Sequence, residues 1–299
     1  MKPEPVCAHR TALPAGACDS HMHVFDPRFE FAPGAQPVPP ASVAQYVEVQ
    51  KRLGTTRTVV VAPSSYGLDN RCTLAGLADL RALGQQARAV VTLAPGVSDA
   101  ELAALHAVGA RGVRFNLARG GGTPLDEIVA TARRVAPLGW HVQMMVTPEQ
   151  LVQHETGLAG LDAPLVIDHM ARIPQDGGVA SAAYRVLRRL LDAGNTWVKL
   201  SLASSARLLG TPGEEVLHTL GRALVSAATG RLLWGSDWPH VLSTLDGSPQ
   251  PPDEDMLAVL LHWAPSQAQQ RSILCDVPAE LYGFEKDAAG PQMRCEPAS

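Results

Sequence analysis

The sequence of 299 residues contains few charged and few aromatic side chains, 18% and 5% of the total. It has no run of 18 consecutive apolar residues, so we expect no transmembrane helix. Residues 1–17 lack the apolar core of a secretory signal. The composition also excludes collagen, a disulfide-rich miniprotein and wholesale disorder. These absences leave a globular chain long enough for one large domain or two smaller ones.

Cysteine is scarce, and its spacing is uninformative. The five cysteines are odd in number, scattered, and form no CxxC pair. We therefore expect neither a disulfide framework nor a cysteine zinc site, and a reducing cytoplasmic location is expected.

Lysine is also scarce: the chain has 4 lysines and 21 arginines. A net charge of -4 argues against a broad surface for nucleic acid. Arginine is suited to bidentate recognition of carboxylates, although GC-rich coding produces the same bias. The arginine excess alone therefore decides nothing.

Short apolar runs alternate with amphipathic stretches along the chain. Strands are predicted near 17–19, 58–62, 89–94, 112–116, 141–146, 165–170, 197–202 and 231–236. Helices are predicted at 41–53, 72–87, 98–109, 124–137, 148–160, 179–194, 213–229 and 254–271. This alternation predicts an α/β fold, a single distorted (β/α)8 TIM barrel over 17–284. We expect an N-terminal extension at 1–16 and a disordered tail at 285–299. The alternative is a doubly wound open sheet, which the missing GxGxxG motif after the first strand disfavours.

Titratable residues recur where the predicted strands end. His21 and His23 are two positions apart, so both imidazoles point the same way from an extended segment. His169 follows the sixth strand and Asp237 the eighth. Each alone has an ordinary explanation, such as a hydrogen-bonded core histidine or a loop cap. Together, at one end of a barrel, they predict a functional cluster.

Three segments carry a resemblance to a known family. They read DSHMHVFD at 19–26, VIDHM at 166–170 and WGSDWPH at 234–240. In this order they resemble the amidohydrolase superfamily, over about residues 17–284. More narrowly, the chain is similar to the branch that holds 2-pyrone-4,6-dicarboxylate lactonase, galactarolactone isomerase and sulfomuconolactone hydrolase. The resemblance is specific for the superfamily and much less so for the substrate.

The resemblance raises the question of a metal. Metal-dependent members use the HxH pair, usually a histidine after strand 5, and the aspartate after strand 8. Here Gln143 stands where the strand-5 histidine is expected, and strand 4 offers Arg114 and Asn116 where binuclear members place a bridging lysine or glutamate. Because the lactonase type works without a metal, we expect no cofactor. If an ion were bound, it would be zinc or manganese. Its ligands would be His21, His23, Asp237 and His169.

Site roles follow from this metal-free prediction. Asp237 is expected to act as general base on water, while the three histidines polarise the lactone carbonyl. Arginines after strands 4, 6 and 7 are expected to bind the substrate anion. These are Arg114, Arg119, Arg172 and Arg207, of which the resemblance matches all but Arg119 to carboxylate-binding arginines. Supporting substrate contacts are predicted for Ser64, Gln143, His240 and Tyr46.

The sequence therefore predicts a cytoplasmic hydrolase that opens a small anionic lactone, carboxylated or sulfonated, in the breakdown of aromatic compounds or sugar acids. After Lys199-Leu200-Ser201 the family tends to carry a glycine and an aromatic residue, and this chain does not. Aliphatic lactones thus stay open beside a planar pyrone. The alternatives are a lactone isomerase with the same site, a metal-dependent decarboxylase or C–C hydrolase, and a non-catalytic binding barrel. No nucleic acid or membrane partner is expected, and both a monomer and a homo-oligomer stay open.

Overall fold

The computed structural model describes residues 12–118, 123–173, 177–248 and 250–285. Arg119, which is predicted to contact substrate, lies outside the described residues. The segment 286–299, which belongs to the predicted disordered tail, also lies outside them.

Eight parallel strands follow one another round the sheet in chain order. They are β1 (Cys18–Met22), β2 (Arg57–Val61), β3 (Gln86–Val91), β4 (Ala110–Asn116), β5 (His141–Met145), β6 (Leu165–Ile167), β7 (Thr196–Lys199) and β8 (Leu232–Leu233). Backbone hydrogen bonds join the last strand region to the first, from Ser20 N to Trp234 O at 2.9 Å and from Asp237 N to His21 O at 2.8 Å. The predicted (β/α)8 barrel is confirmed.

The helices surround this sheet. They are α1 (Val43–Leu53), α2 (Arg71–Ala82), α3 (Asp99–Ala107), α4 (Leu125–Val135), α5 (Pro148–Gln153), α6 (Glu155–Ala159), α7 (Ala182–Asp192), α8 (Glu214–Ala228), α9 (Val241–Asp246), α10 (Asp253–Trp263), α11 (Gln267–Arg271) and α12 (Val277–Tyr282). The predicted helix at 148–160 is two helices, because the chain leaves helical geometry at His154 (φ -102°, ψ 9°). None of the helices in the described ranges is both long and apolar enough to span a bilayer.

The helix α12, which the sequence did not predict, packs into one end of the barrel. Its Tyr282 is fully buried and clusters with strand residues such as Val59 and Val166. The Tyr282 ring lies 5.2 Å from the ring of His141, the first residue of β5. The amino-terminal end of the barrel is therefore covered, and the opposite end carries the site.

Two left-handed segments interrupt the strand ends on that side. The predicted sixth strand stops at Ile167, and His169–Arg172 all have φ between 50° and 56°. Asp237 and His240 have φ 63°. None is glycine, and left-handed backbone costs L-residues about 1–2 kcal/mol each. Such strain is typical of functional sites, and here it aims His169 and Asp237 into the barrel mouth.

Candidate active site

Three buried imidazoles converge on one carboxylate oxygen at the barrel mouth. Asp237 Oδ1 lies 3.6 Å from His21 Nε2, 3.7 Å from His23 Nε2 and 3.7 Å from His169 Nε2. The structure thus brings together the four residues for which the sequence predicted a cluster. Three imidazole edges facing one carboxylate can hold a water molecule and a carbonyl oxygen between them.

A buried carboxylate, Asp19, fixes the loop that carries Asp237. Asp19 accepts hydrogen bonds from Ser236 N (2.9 Å) and Ser236 Oγ (2.6 Å). The Tyr46 hydroxyl donates to it at 3.0 Å. Burial raises the pKa of Asp19 to about 6, against the lowering effect of these bonds. Tyr46, predicted to contact substrate, is fully buried and lies in this supporting network.

The orientation of His23 is fixed by a backbone carbonyl. Its Nδ1 lies 2.7 Å from Val61 O, which can only accept, so Nδ1 carries the proton. Burial first, and then the Arg114 charge, lower the pKa of His23 to about 4, so the ring is neutral at pH 7. Its Nε2 therefore presents a lone pair towards Asp237.

His169 is held by a hydroxyl. Its Nδ1 lies 2.7 Å from Ser201 Oγ, which can donate or accept, so this contact orients the ring without fixing its tautomer. Burial lowers the pKa of His169. This ring is also neutral at pH 7.

A polar layer that the sequence analysis did not assign lies directly beneath the histidines. Lys199 Nζ donates to Ser20 O (2.9 Å), Gln143 Oε1 (2.7 Å) and His21 Nδ1 (3.2 Å). Asp168 Oδ1 lies 3.4 Å from His21 Nδ1. The one available signal was that Lys199 is a charged residue ending a buried strand. Gln143, predicted to touch substrate, belongs to this layer.

Charge in the layer is paired. Burial alone would raise the pKa of Asp168, but its charged neighbours, Lys199 and Arg114 among them, hold it well below its ordinary value. Asp168 Oδ2 accepts from Gln143 Nε2 at 3.1 Å and faces Arg114 Nε at 3.4 Å. Burial lowers the pKa of Lys199 to about 8, partly offset by Asp168. At pH 7 Lys199 is therefore an ammonium and Asp168 is a carboxylate.

A cleft of about 70 Å³ opens above His23, His169 and Asp237. Two predicted anion-binding residues, Arg114 and Arg172, line it. Its other polar lining residues are Ser64, Ser65 and Asn116. A larger cleft of about 340 Å³ shares Ser64, Arg114 and Asn116 with it. The Arg114 guanidinium therefore lies between the histidine cluster and the larger cleft.

Besides Tyr46 and Gln143, two more predicted substrate contacts do not line these clefts. Arg207 is exposed on the turn Ala203–Leu208, and the left-handed Ala203 (φ 38°) starts that turn. His240 Nε2 lies 2.8 Å from Asp253 Oδ1, so this imidazole is committed to α10.

The family resemblance implies a divalent metal in many members, and such an ion needs free donor atoms on its ligands. His21, His23 and Asp237 bring ligand atoms within 4.8 Å of one another, as do His21, Asp168 and His169, so His21 belongs to both groups. A ligating imidazole must present a lone pair, yet His21 Nδ1 accepts from Lys199, which leaves the proton on Nε2. The strand-5 amide of Gln143 is also bound, to Lys199 and Asp168. The residues therefore do not fit a fully ligated ion.

The fold and the site define a (β/α)8-barrel enzyme with a His/Asp centre. Residues 18–284 match the amidohydrolase family, and the chain belongs to it. It is 36% identical to a 2-pyrone-4,6-dicarboxylate hydrolase of Comamonas testosteroni over 92% of both chains. It is 34% identical to a 4-sulfomuconolactone hydrolase of Rhizobium radiobacter over 91% of both. A crystal structure of a probable 2-pyrone-4,6-dicarboxylic acid hydrolase from Acinetobacter baumannii with citric acid bound superposes with TM-score 0.78 at 25% identity. That alignment covers 90% of this chain and 100% of the other.

Proposed function

We propose that this protein hydrolyses the ring ester of a small lactone that carries a carboxylate or sulfonate. One observation carries the proposal: Asp237 faces three imidazoles within 3.7 Å, beneath a cleft lined by Arg114 and Arg172. A base, carbonyl-polarising groups and anion-binding groups thus share one site. Two relatives named for hydrolysis of anionic lactones support the assignment.

The attacking water lies between Asp237 and His23 in this proposal. Asp237 takes its proton as general base, which is worth roughly 10²–10⁴ in rate. The Val61 contact leaves His23 Nε2 as an acceptor, so we assign His23 to the same water. This differs from the carbonyl-polarising role that the sequence predicted for His23.

Polarisation of the carbonyl then falls to His21 and His169. The His21 Nε2–H donates to the carbonyl oxygen, and His169 Nε2 faces the same space. As hydroxide adds to the carbonyl carbon, the His21 donor stabilises the oxyanion, which is worth about 10²–10³ in kcat, and His169 adds a second such donor in its Nε2–H tautomer. The tetrahedral intermediate breaks its ring C–O bond, and Asp237 returns the proton to the leaving oxygen. One lactone and one water give one ring-opened acid.

The substrate anion binds to arginine. Arg114 is 93% buried, and its Nη1 donates to Ala62 O at 3.0 Å, which holds the guanidinium rigidly. A buried arginine binds a carboxylate or sulfonate through paired N–H donors. Arg172 supplies a second cation from the left-handed turn. We also propose that the reaction needs no metal and serves aromatic-compound breakdown in the cytoplasm.

A panel of carboxylated and sulfonated lactones tests the proposal, with products identified as well as substrate loss followed. The wild type is expected to open at least one ring, and Asp237→Asn to lose about 10³-fold or more in kcat. Asp162→Asn is the matched control, because Asp162 is exposed on the surface. Retained activity of Asp237→Asn would reject this aspartate as the base. A rearranged lactone as the product would replace hydrolysis with isomerisation.

A further inference from the structure

Lys199 makes three hydrogen bonds beneath the histidines but has no role in the proposed hydrolysis as described above. It ends β7 and its side chain is fully buried. An ammonium has three N–H donors, and Nζ has three acceptors within reach: Ser20 O at 2.9 Å, Gln143 Oε1 at 2.7 Å and His21 Nδ1 at 3.2 Å. Every donor is satisfied only if His21 Nδ1 accepts.

The tautomer of His21 follows from this count. A ring nitrogen that accepts from an ammonium at 3.2 Å carries no proton of its own, so the ring is neutral, and burial and then the Lys199 charge lower its pKa in the same sense. A neutral imidazole that accepts at Nδ1 carries its proton on Nε2. That Nε2 faces Asp237 Oδ1 at 3.6 Å, at the centre of the site. The proton on His21 Nε2 therefore points to the place that the proposed function gives to the lactone carbonyl oxygen.

Asp168 competes for the same nitrogen. Its Oδ1 lies 3.4 Å from His21 Nδ1 and would accept a proton from it, which would turn the Nε2 lone pair towards the site. Lys199 Nζ is closer, and Asp168 Oδ1 has no hydrogen-bond partner within the described residues. Asp168 Oδ2 is used by Gln143 and Arg114. The lysine thus decides between two opposite tautomers.

We propose that Lys199 is a positioning residue whose ammonium holds His21 as the Nε2–H tautomer, so that His21 donates to the lactone carbonyl and cannot ligate a metal. The first consequence rests on the proposed lactone hydrolysis. The second concerns the protein alone. A lysine beneath the site thus supplies, through an imidazole, the polarisation that a Lewis acid would otherwise provide.

Nitrogen NMR of the histidine side chains tests the proposal at pH 7 without substrate. Protein labelled with ¹⁵N-histidine is compared as wild type, Lys199→Met and His21→Gln, the last to assign the His21 signals. The wild type is expected to show a protonated Nε2 and an unprotonated Nδ1 at residue 21. Lys199→Met is expected to reverse this, because Asp168 Oδ1 then remains as the partner of Nδ1. A protonated Nδ1 in the wild type, or an unchanged tautomer in Lys199→Met, would overturn the proposal.

Kinetics separate positioning from simple structural support. Lys199→Met is expected to lower kcat about 100-fold, as loss of one oxyanion donor does, with KM nearly unchanged. The matched control is Thr196→Val, because Thr196 is a buried polar side chain at the other end of the same strand. It is expected to keep both kcat and the His21 tautomer. Equal losses of kcat in the two variants would overturn the positioning role.

Zinc binding gives a third readout that needs no activity. After incubation with zinc chloride and desalting, Lys199→Met is expected to retain more zinc per chain than the wild type. Equal retention would overturn the exclusion of a metal. If Lys199→Met does not fold, the wild-type spectrum still decides the tautomer. If no lactone is turned over, the proposed function fails while the spectrum still judges Lys199.

Discussion

His141 makes the barrel sensitive to acid, and the effect of replacing it can be worked out in advance. It is the first residue of β5, fully buried, with its ring against Tyr282. Burial first, and then the Lys199 charge, lower the pKa of His141 to about 3. In the unfolded chain a histidine titrates near 6.5. The folded protein therefore resists a proton that the unfolded chain accepts readily.

The sign and size follow from proton linkage. Between pH 6.5 and 3 the unfolded state binds one more proton than the folded state, so stability falls as the pH falls. The stability that comes from keeping His141 neutral is fully present above about pH 6.5. The slope for one group approaches about 1.4 kcal/mol per pH unit, and the loss at pH 5 is about 2 kcal/mol. This is a substantial fraction of the usual 5–15 kcal/mol of a folded domain.

Urea unfolding of wild type and His141→Leu at pH 8 and pH 5 measures this loss. The variant is expected to lose about 2 kcal/mol less between the two pH values than the wild type. Any packing change caused by leucine is the same at both pH values and cancels in the difference. His262→Leu serves as the control, because His262 is exposed and stays hydrated in both states. An equal loss in the wild type and His141→Leu would refute the reasoning.

Three further predictions concern the site. Arg114→Met is expected to lower kcat/KM about 10- to 100-fold for a lactone carboxylate, because the substitution removes a charge-assisted contact with the substrate. Arg207→Met, on the exposed turn, should change kcat/KM less than about threefold. Comparable losses for the two would contradict the assignment. Dialysis against a chelator should leave both the turnover rate and the mass of the protein unchanged, because no metal is bound in the metal-free proposal. A stoichiometric zinc ion on which activity depends would reject that proposal. Ser201→Ala should lower kcat about tenfold, since His169 Nδ1 loses its 2.7 Å partner; unaltered kcat would show that packing alone orients His169.

The convergence of His21, His23, His169 and Asp237 was predictable from the sequence. Parallel strands in chain order bring all their carboxyl ends to one rim, so residues that end different strands meet. The apolar runs located all eight strands, and the four residues follow three of them. The family matched by residues 18–284 agrees with the motifs that the sequence shows.

The finer placement was not predictable. Nothing in a run of non-glycine residues indicates the left-handed backbone of His169–Arg172, because tertiary contacts impose it. The sequence likewise could not show that the Tyr46 hydroxyl donates to Asp19, or that the turn after β7 leaves Arg207 exposed. Lys199 looked like a strand residue, and only the distances to its three acceptors give it a role.

Charge balance gives a further reason why Lys199 and a divalent ion are alternatives in this site. Lys199 and Arg114 are buried cations near His21 that both face Asp168, and Asp19 and Asp237 are two further buried carboxylates beside His21. With neutral histidines, these two cations and three carboxylates leave one net negative charge, and unpaired buried charge is costly. A divalent ion would turn this into one net positive charge, whereas without the Lys199 ammonium the same ion would bring the set to zero. An anionic substrate instead adds negative charge at the mouth of the cleft, where Arg172 offers a further cation.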